Sequence, residues 1–201
     1  MQKALRHLRA ADPVMARLIA EIGGYRIEYS PPNYQTLARA IVLQQVSGKA
    51  ADRIFARLLE CCPDGELTPK ALLGLPLEKL RAAGLSRQKI AYLRELARRT
   101  LAGEVDFAAL KKLPDQEVTR RLTALKGIGV WTVQMFLIFA LRRPDVMPSG
   151  DLGIRAAVRK AYGYDSLPSP REVERLAEAW RPYRSVAAWY LWRTLEDKAG
   201  L

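Results

Sequence analysis

Cys61 and Cys62 are all the thiols in this 201-residue chain, and His7 is its only histidine. Two neighbouring cysteines are too cramped for ordinary disulfide geometry and too few to cage a zinc ion or an iron–sulfur cluster. A reducing compartment suits that scarcity. Long apolar runs are missing as well. No stretch approaches the ~20 residues that a membrane span needs, and the N-terminal MQKALRHLRAADP alternates charge with leucine where a secretory signal would be continuously apolar. The expectation is a soluble cytoplasmic protein without membrane association. Acidic residues are outnumbered by 33 Lys and Arg to 21, a net charge of +12, which favours a polyanionic partner without deciding its identity. Strand-like alternation bounded by turns, low-complexity linkers and solenoid-period repeats are all absent.

What remains is a nearly unbroken series of helix signals, so the fold class is all-α. Asp12-Pro13 is an N-cap followed by proline at the first helical position, and Gly23-Gly24 stops that helix after about Ile22. Tyr25 to Pro32 reads as an extended connector. Asn33 caps a helix to roughly Val46, and Ser47 is placed to cap the next, Gly48 to Leu59. Short helices near 69–73 and 77–83 precede a long one opened by Ser86 and ending about Leu101. Asp106 and Pro114-Asp115 start two more. Later helices are expected over 152–162, stopped by Gly163, then 170–180 and 185–197.

The most informative stretch runs from Leu122 to Arg155. An apolar helix end at Leu122 and Leu125 meets a turn built on Gly127 and Gly129, and a second apolar helix begins at Val130. Two glycines bracketing one β-branched residue let the backbone turn sharply and bring bare N–H groups to a ligand. A helix N-terminus with such donors is an anion site, and a nucleic-acid phosphate is an anion that asks for no side-chain specificity. One helix and one loop later stands Asp151, directly before the apolar-periodic LGIRAAVRKAY. Taken alone, Asp151 is a good helix N-cap, and a lone GxG turn is a weak signal.

Together, Leu125 to Gly129, the helix after it and Gly150-Asp151 resemble the helix-hairpin-helix DNA glycosylases. Trp131 and Thr132, with Trp131 twenty residues before Asp151, resemble the 3-methyladenine DNA glycosylase II branch. The resemblance covers nearly the whole chain and is sharpest at 41–47, 125–154 and 180–192. It implies two helical lobes flanking a DNA-binding cleft, one at 33–150 and the other at 1–32 with 151–201. Double-stranded DNA carrying alkylated bases is then the expected partner, a monomer the expected state, and base excision repair the expected setting.

The same resemblance distributes roles among residues. Asp151 becomes the catalytic carboxylate, since cleaving an N-glycosidic bond builds positive charge on the sugar that a carboxylate can stabilise while handling the attacking water. Trp131, Met135 and Trp192 line the pocket for the extruded base, with an aromatic face suited to a cationic purine. Gln45 fills the hole left by the flipped nucleotide. Lys126, Gly127, Ile128 and Gly129 hold phosphate, and the backbone carbonyls of Thr123, Leu125 and Ile128 are candidates for a Na or K ion. No cofactor is required. Some members carry a four-cysteine iron–sulfur loop near the C-terminus, and this sequence has no cysteine after Cys62. In the bifunctional branch the position of Trp131 is a lysine that attacks the sugar, so tryptophan implies a monofunctional hydrolase. The alternatives are a bifunctional glycosylase and lyase, or a non-catalytic DNA-binding module using the same phosphate grip.

Overall fold

The computed structural model describes residues 1–46 and 48–195. Among them the chain forms helices, turns and extended connectors and no strand, and no helix is long and apolar enough to cross a membrane. The cap expected from Ser47 lies outside the described residues, and the last helix, expected to reach Asp197, ends at Arg193, with 196 and 197 outside the described residues. The chain divides into two compact units, one continuous from Ser30 to Leu141, the other built from both ends, Met1–Tyr29 and Arg142–Leu201.

In the continuous unit the helices are α3 (Tyr34–Leu43), α4 (Gly48–Glu60), α5 (Pro69–Gly74), α6 (Leu77–Ala82), α7 (Arg87–Leu101), α8 (Phe107–Leu110), α9 (Asp115–Thr123) and α10 (Val130–Phe139). The expected caps are in place: Asn33 accepts from Thr36 N–H, Ser86 from Lys89 N–H, and Asp106 from Ala108 and Ala109. Each satisfies donors the first helical turn leaves open, for about 1 kcal/mol apiece. The unit is organised on α7 and α10. Helices α3 and α5 pack on α7, and α3 and α9 pack on α10. With VWTVQMFLIF apolar nearly all round, α10 is a central helix, and Thr132, Val133, Phe136, Leu137 and Ile138 are buried.

Helix α3 is shorter than its apolar spacing suggests, ending at Leu43 rather than near Val46. Gln44 turns out of the helix, and Gln45 has a φ of 57°, which a helix cannot accommodate. Burial against α3 constrains Lys89 of α7, whose Nζ donates to the Val42 carbonyl at 2.7 Å, and desolvation lowers the lysine's pKa. A cation thus sits where the C-terminal carbonyls of α3 concentrate negative potential.

The terminal unit contains α1 (Gln2–Ala11), α2 (Pro13–Ile22), α11 (Leu152–Tyr162), α12 (Pro170–Ala177) and α13 (Arg184–Arg193). The expected 170–180 helix is α-helical only to Ala177, and a 3-10 turn carries it on to Trp180. Leu8, Met15, Ile19, Ile154, Val158, Trp180, Tyr190 and Leu191 meet in its core. Asp12 joins three elements there. Its Oδ1 caps α2 through Val14 and Met15 N–H, while Oδ2 accepts Tyr162 OH at 2.6 Å and Trp180 Nε1–H at 2.9 Å. Burial, with that bond to Asp12, raises the Tyr162 pKa.

Residues 30–32, expected with the terminal lobe, belong to the continuous unit, and residues 142–150, expected with the middle lobe, belong to the terminal one. Ser185 of α13 binds the latter: its N–H donates to Pro144 C=O, its Oγ donates to Arg143 C=O, and Val146 N–H donates to that Oγ. Arg184 grips the Asp145 carboxylate at 2.7 Å, and Met147 enters the terminal core. Arg142 stacks on the Tyr29 ring at 4.7 Å, and through Ser185 and Arg184 the loop reaches Asp151 already anchored to α13.

Candidate active site

Asp151 stands at the N-terminus of α11, held from two directions. Its Oδ1 accepts Ile154 N–H at 2.8 Å, the capping bond the sequence suggests, and Trp192 Nε1–H of α13 at 3.0 Å. The first bond fixes the carboxylate along the helix axis and the second fixes its rotation. The preceding backbone is tied as well, Asp151 N–H donating to Pro148 C=O at 2.9 Å. Both Asp151 and Trp192 are half-buried, and Leu152 beside them is 67% exposed. The carboxylate is therefore both oriented and reachable.

Gly153, which sequence reasoning passed over, makes this arrangement possible. A Cβ at that position would come within 3.0 Å of Asp151 Oδ1 and 3.3 Å of Trp192 Cδ1. A side chain at position 153 would press the carboxylate and the indole apart by a few tenths of an ångström, so glycine lets both lie close against the first turn of α11. A glycine near the start of an otherwise helix-favouring run is the signal that could have found it.

The hairpin and the remaining expected residues belong to the continuous unit. Between α9 and α10, Leu125 N–H donates to Leu122 C=O and Ile128 N–H to Leu125 C=O, each at 3.1 Å, closing a compact turn. Ile128 is buried and Lys126 exposed. Gly129 is the N-cap of α10 and offers no side-chain cap, so the helix opens on backbone alone. Val130 after it is 56% exposed, leaving this N-terminus accessible to an anion.

The two glycines serve different ends. Gly127 has a φ of +89°, and any Cβ there would fall inside the ring of Tyr92 from α7. Gly129 has a φ of −91° with open space where a side chain would stand. Gly127 is thus required by the fold, whereas nothing in the packing around Gly129 asks for a glycine.

Gln44, also missed from sequence, braces the hairpin from α3. Its Nε2 donates to Gly127 C=O at 2.9 Å and to Thr132 Oγ1 at 3.0 Å. Gln45, the expected wedge, is exposed and held in the left-handed region, an uncommon state for a residue with a side chain. Trp131 and Met135 lie half-buried one turn apart on α10. The structure thus brings Asp151 and Trp192 together in one unit, and Trp131, Met135, Gln45 and the hairpin in the other.

A family model covers residues 38–182, from within α3 to just short of α13, and its description is HhH-GPD superfamily base excision DNA repair protein. The chain belongs to the HhH-GPD superfamily. Among HhH-GPD relatives, DNA-3-methyladenine glycosylase 1 of Schizosaccharomyces pombe is 38% identical over 200 residues, covering 96% of this chain and 87% of that protein. A solved structure of the fission-yeast 3-methyladenine DNA glycosylase in complex with abasic DNA superposes with a TM-score of 0.90 at 39% identity, covering 96% of each chain. A DNA-3-methyladenine glycosidase from Bacillus halodurans superposes with a TM-score of 0.84 at 33% identity, covering 98% of this chain and 90% of its own. The all-helical HhH-GPD fold expected from the sequence is therefore the observed one.

Proposed function

We propose that this chain is a monofunctional DNA glycosylase that hydrolyses the bond between deoxyribose and an alkylated base, of the 3-methyladenine and 7-methylguanine type, in double-stranded DNA. The observation that carries the mechanism is the Asp151 carboxylate, oriented by Ile154 N–H and Trp192 Nε1–H and still accessible. As the glycosidic bond breaks, positive charge grows on the sugar. A fixed carboxylate stabilises that charge without reorganising and steers or deprotonates the incoming water. An alkylated purine already carries positive charge and leaves without a general acid, so one carboxylate suffices. The relatives named for 3-methyladenine excision, and the one bound to abasic DNA, support this activity and its DNA partner.

In this reading Trp131, Met135 and Trp192 receive the flipped base, Gln45 fills the vacated stack, and backbone N–H groups at Gly129 and Val130 meet phosphate. Lys126 adds charge beside them. The hairpin carbonyls of Thr123, Leu125 and Ile128 suit a Na or K ion, because oxygen donors of this kind replace a hydration shell. The Leu125 carbonyl already takes Ile128 N–H and retains a second lone pair. The protein works as a monomer and needs no further cofactor.

The test is base release from methylated duplex DNA, resolved by base identity, under single-turnover conditions. Wild-type protein should release 3-methyladenine and 7-methylguanine. Asp151→Asn keeps an oxygen for both Ile154 N–H and Trp192 Nε1–H and removes only the charge, so release should drop by orders of magnitude, each ~1.4 kcal/mol of lost transition-state stabilisation being tenfold. Near-wild-type release by this variant would end the case for Asp151.

A further inference from the structure

Beside the hairpin, α7 presents a second set of cations. An open groove of about 490 Å³ is lined by Arg87, Arg94, Glu95 and Arg98 of α7 and by Lys126 of the hairpin turn. Positions 87, 94 and 98 follow helical spacing and share one face, a stripe about 16 Å long. The single carboxylate in the groove is engaged by cations, Arg99 at 2.9 Å and Arg98 at 3.9 Å. Arg87 and Arg98 are exposed. Arg94 is anchored, its Nη2 donating to Leu75 C=O at 3.1 Å, and its Nε is buried without a hydrogen-bond partner. A partly desolvated guanidinium between two exposed ones is costly unless an anion completes the set.

We propose that this groove is a second phosphate-binding surface for duplex DNA, continuous with the hairpin through Lys126, which takes backbone phosphates beyond those the hairpin holds. The proposal rests on the DNA-binding part of the proposed function and not on catalysis. Several features favour a DNA strand over a small anion. The cations are spread along a helix and not converged on a point, and a duplex strand offers a phosphate about every 3.4 Å of axis, so several fall within the stripe. Cationic contacts of this kind position a duplex without specifying sequence.

The experiment measures binding and not base release. Affinity of the full chain for a long undamaged duplex is followed as a function of salt for wild type, for Arg87→Ala with Arg98→Ala, and for Lys111→Ala with Lys112→Ala. The last variant removes the same charge outside the groove, and thermal melting checks that each variant is folded. Each phosphate contact contributes about 0.9 to the slope of log affinity against log salt, so the groove variant should show a slope shallower by about 1.8. The control should keep the wild-type slope. A wild-type slope in the groove variant overturns the proposal, and so does an equal change in the control, since net charge alone would then explain the effect. Wild-type protein that binds duplex but releases no base would defeat the glycosylase assignment and leave this comparison standing.

Discussion

Asp12 and Asp151 are built alike and do different things. Each caps a helix through an N–H at 2.8 Å, and each accepts an indole N–H, from Trp180 at 2.9 Å and from Trp192 at 3.0 Å. Environment separates them. Asp12 is 6% exposed and holds the terminal core together with Tyr162, whereas Asp151 is only half-buried beside the exposed Leu152. A capped carboxylate with a tryptophan donor is therefore a structural device first, and accessibility is what makes the second copy available for chemistry. Asp12→Ala should cost ~3 kcal/mol, from a lost cap and two orphaned donors, the buried Trp180 and the half-buried Tyr162, while Asp151→Ala should cost ~1–2 kcal/mol; thermal unfolding of both variants checks the ranking. Trp192→Phe keeps a ring over Gly153 but removes the donor that sets the carboxylate's rotation. Base release should fall about tenfold or more with only ~1 kcal/mol lost in stability, and unchanged release would show that the indole N–H does not position Asp151. The cap at Asp151 was legible from DLGIR because capping is local. Its bond to Trp192 spans 41 residues, and no local pattern encodes that.

At the scale of the element, the hairpin's two glycines differ: one is packed against a ring and the other stands in open space. From sequence, both allow close backbone approach. With the Tyr92 ring against it and a φ of +89°, Gly127 belongs to the packing of α7 on the turn, so substituting it does not isolate a phosphate contact. Gly127→Ala should lower thermal stability by well over 1 kcal/mol, and adding Tyr92→Ala should recover the steric part while leaving the backbone cost of the left-handed conformation. Gly129→Ala should melt within ~1 kcal/mol of wild type, the cost of alanine at an N-cap, yet bind duplex more weakly. Equal losses of stability at both positions would contradict this difference. The hairpin was readable because helix ends, glycines and an apolar restart fall in one short window. Its brace was not, since Gln44 reaches Gly127 and Thr132 across 83 and 88 residues. Nor was the early end of α3, where apolar spacing continues past the point at which Gln45 turns left-handed.

For the whole molecule, the absence of an amine at position 131 has a direct chemical consequence. Borohydride added during turnover on lesion-containing DNA should trap no covalent complex, and strand breaks should appear only after heat or alkali. Efficient trapping would reveal another nucleophile, with the exposed Lys126 the first to substitute. The individual helices were legible because helix signals and turns are local, whereas the expectation of two lobes came from the family resemblance. The boundary at Arg142 was in neither, because Ser185, Arg184 and the terminal core claim the residues after it from far along the chain. That division also sets an order of events at the ribosome. The continuous unit has all its own helices once Leu141 has emerged, whereas α1 and α2 emerge first and find their partners, the turn at 178–180 and α13, last. At roughly 5–20 residues per second, Leu8, Met15 and Ile19 spend on the order of ten seconds without the core that will cover them. During synthesis the apolar faces of the first two helices thus wait longest for their cover, and Asp151 meets the Trp192 indole only once α13 has emerged.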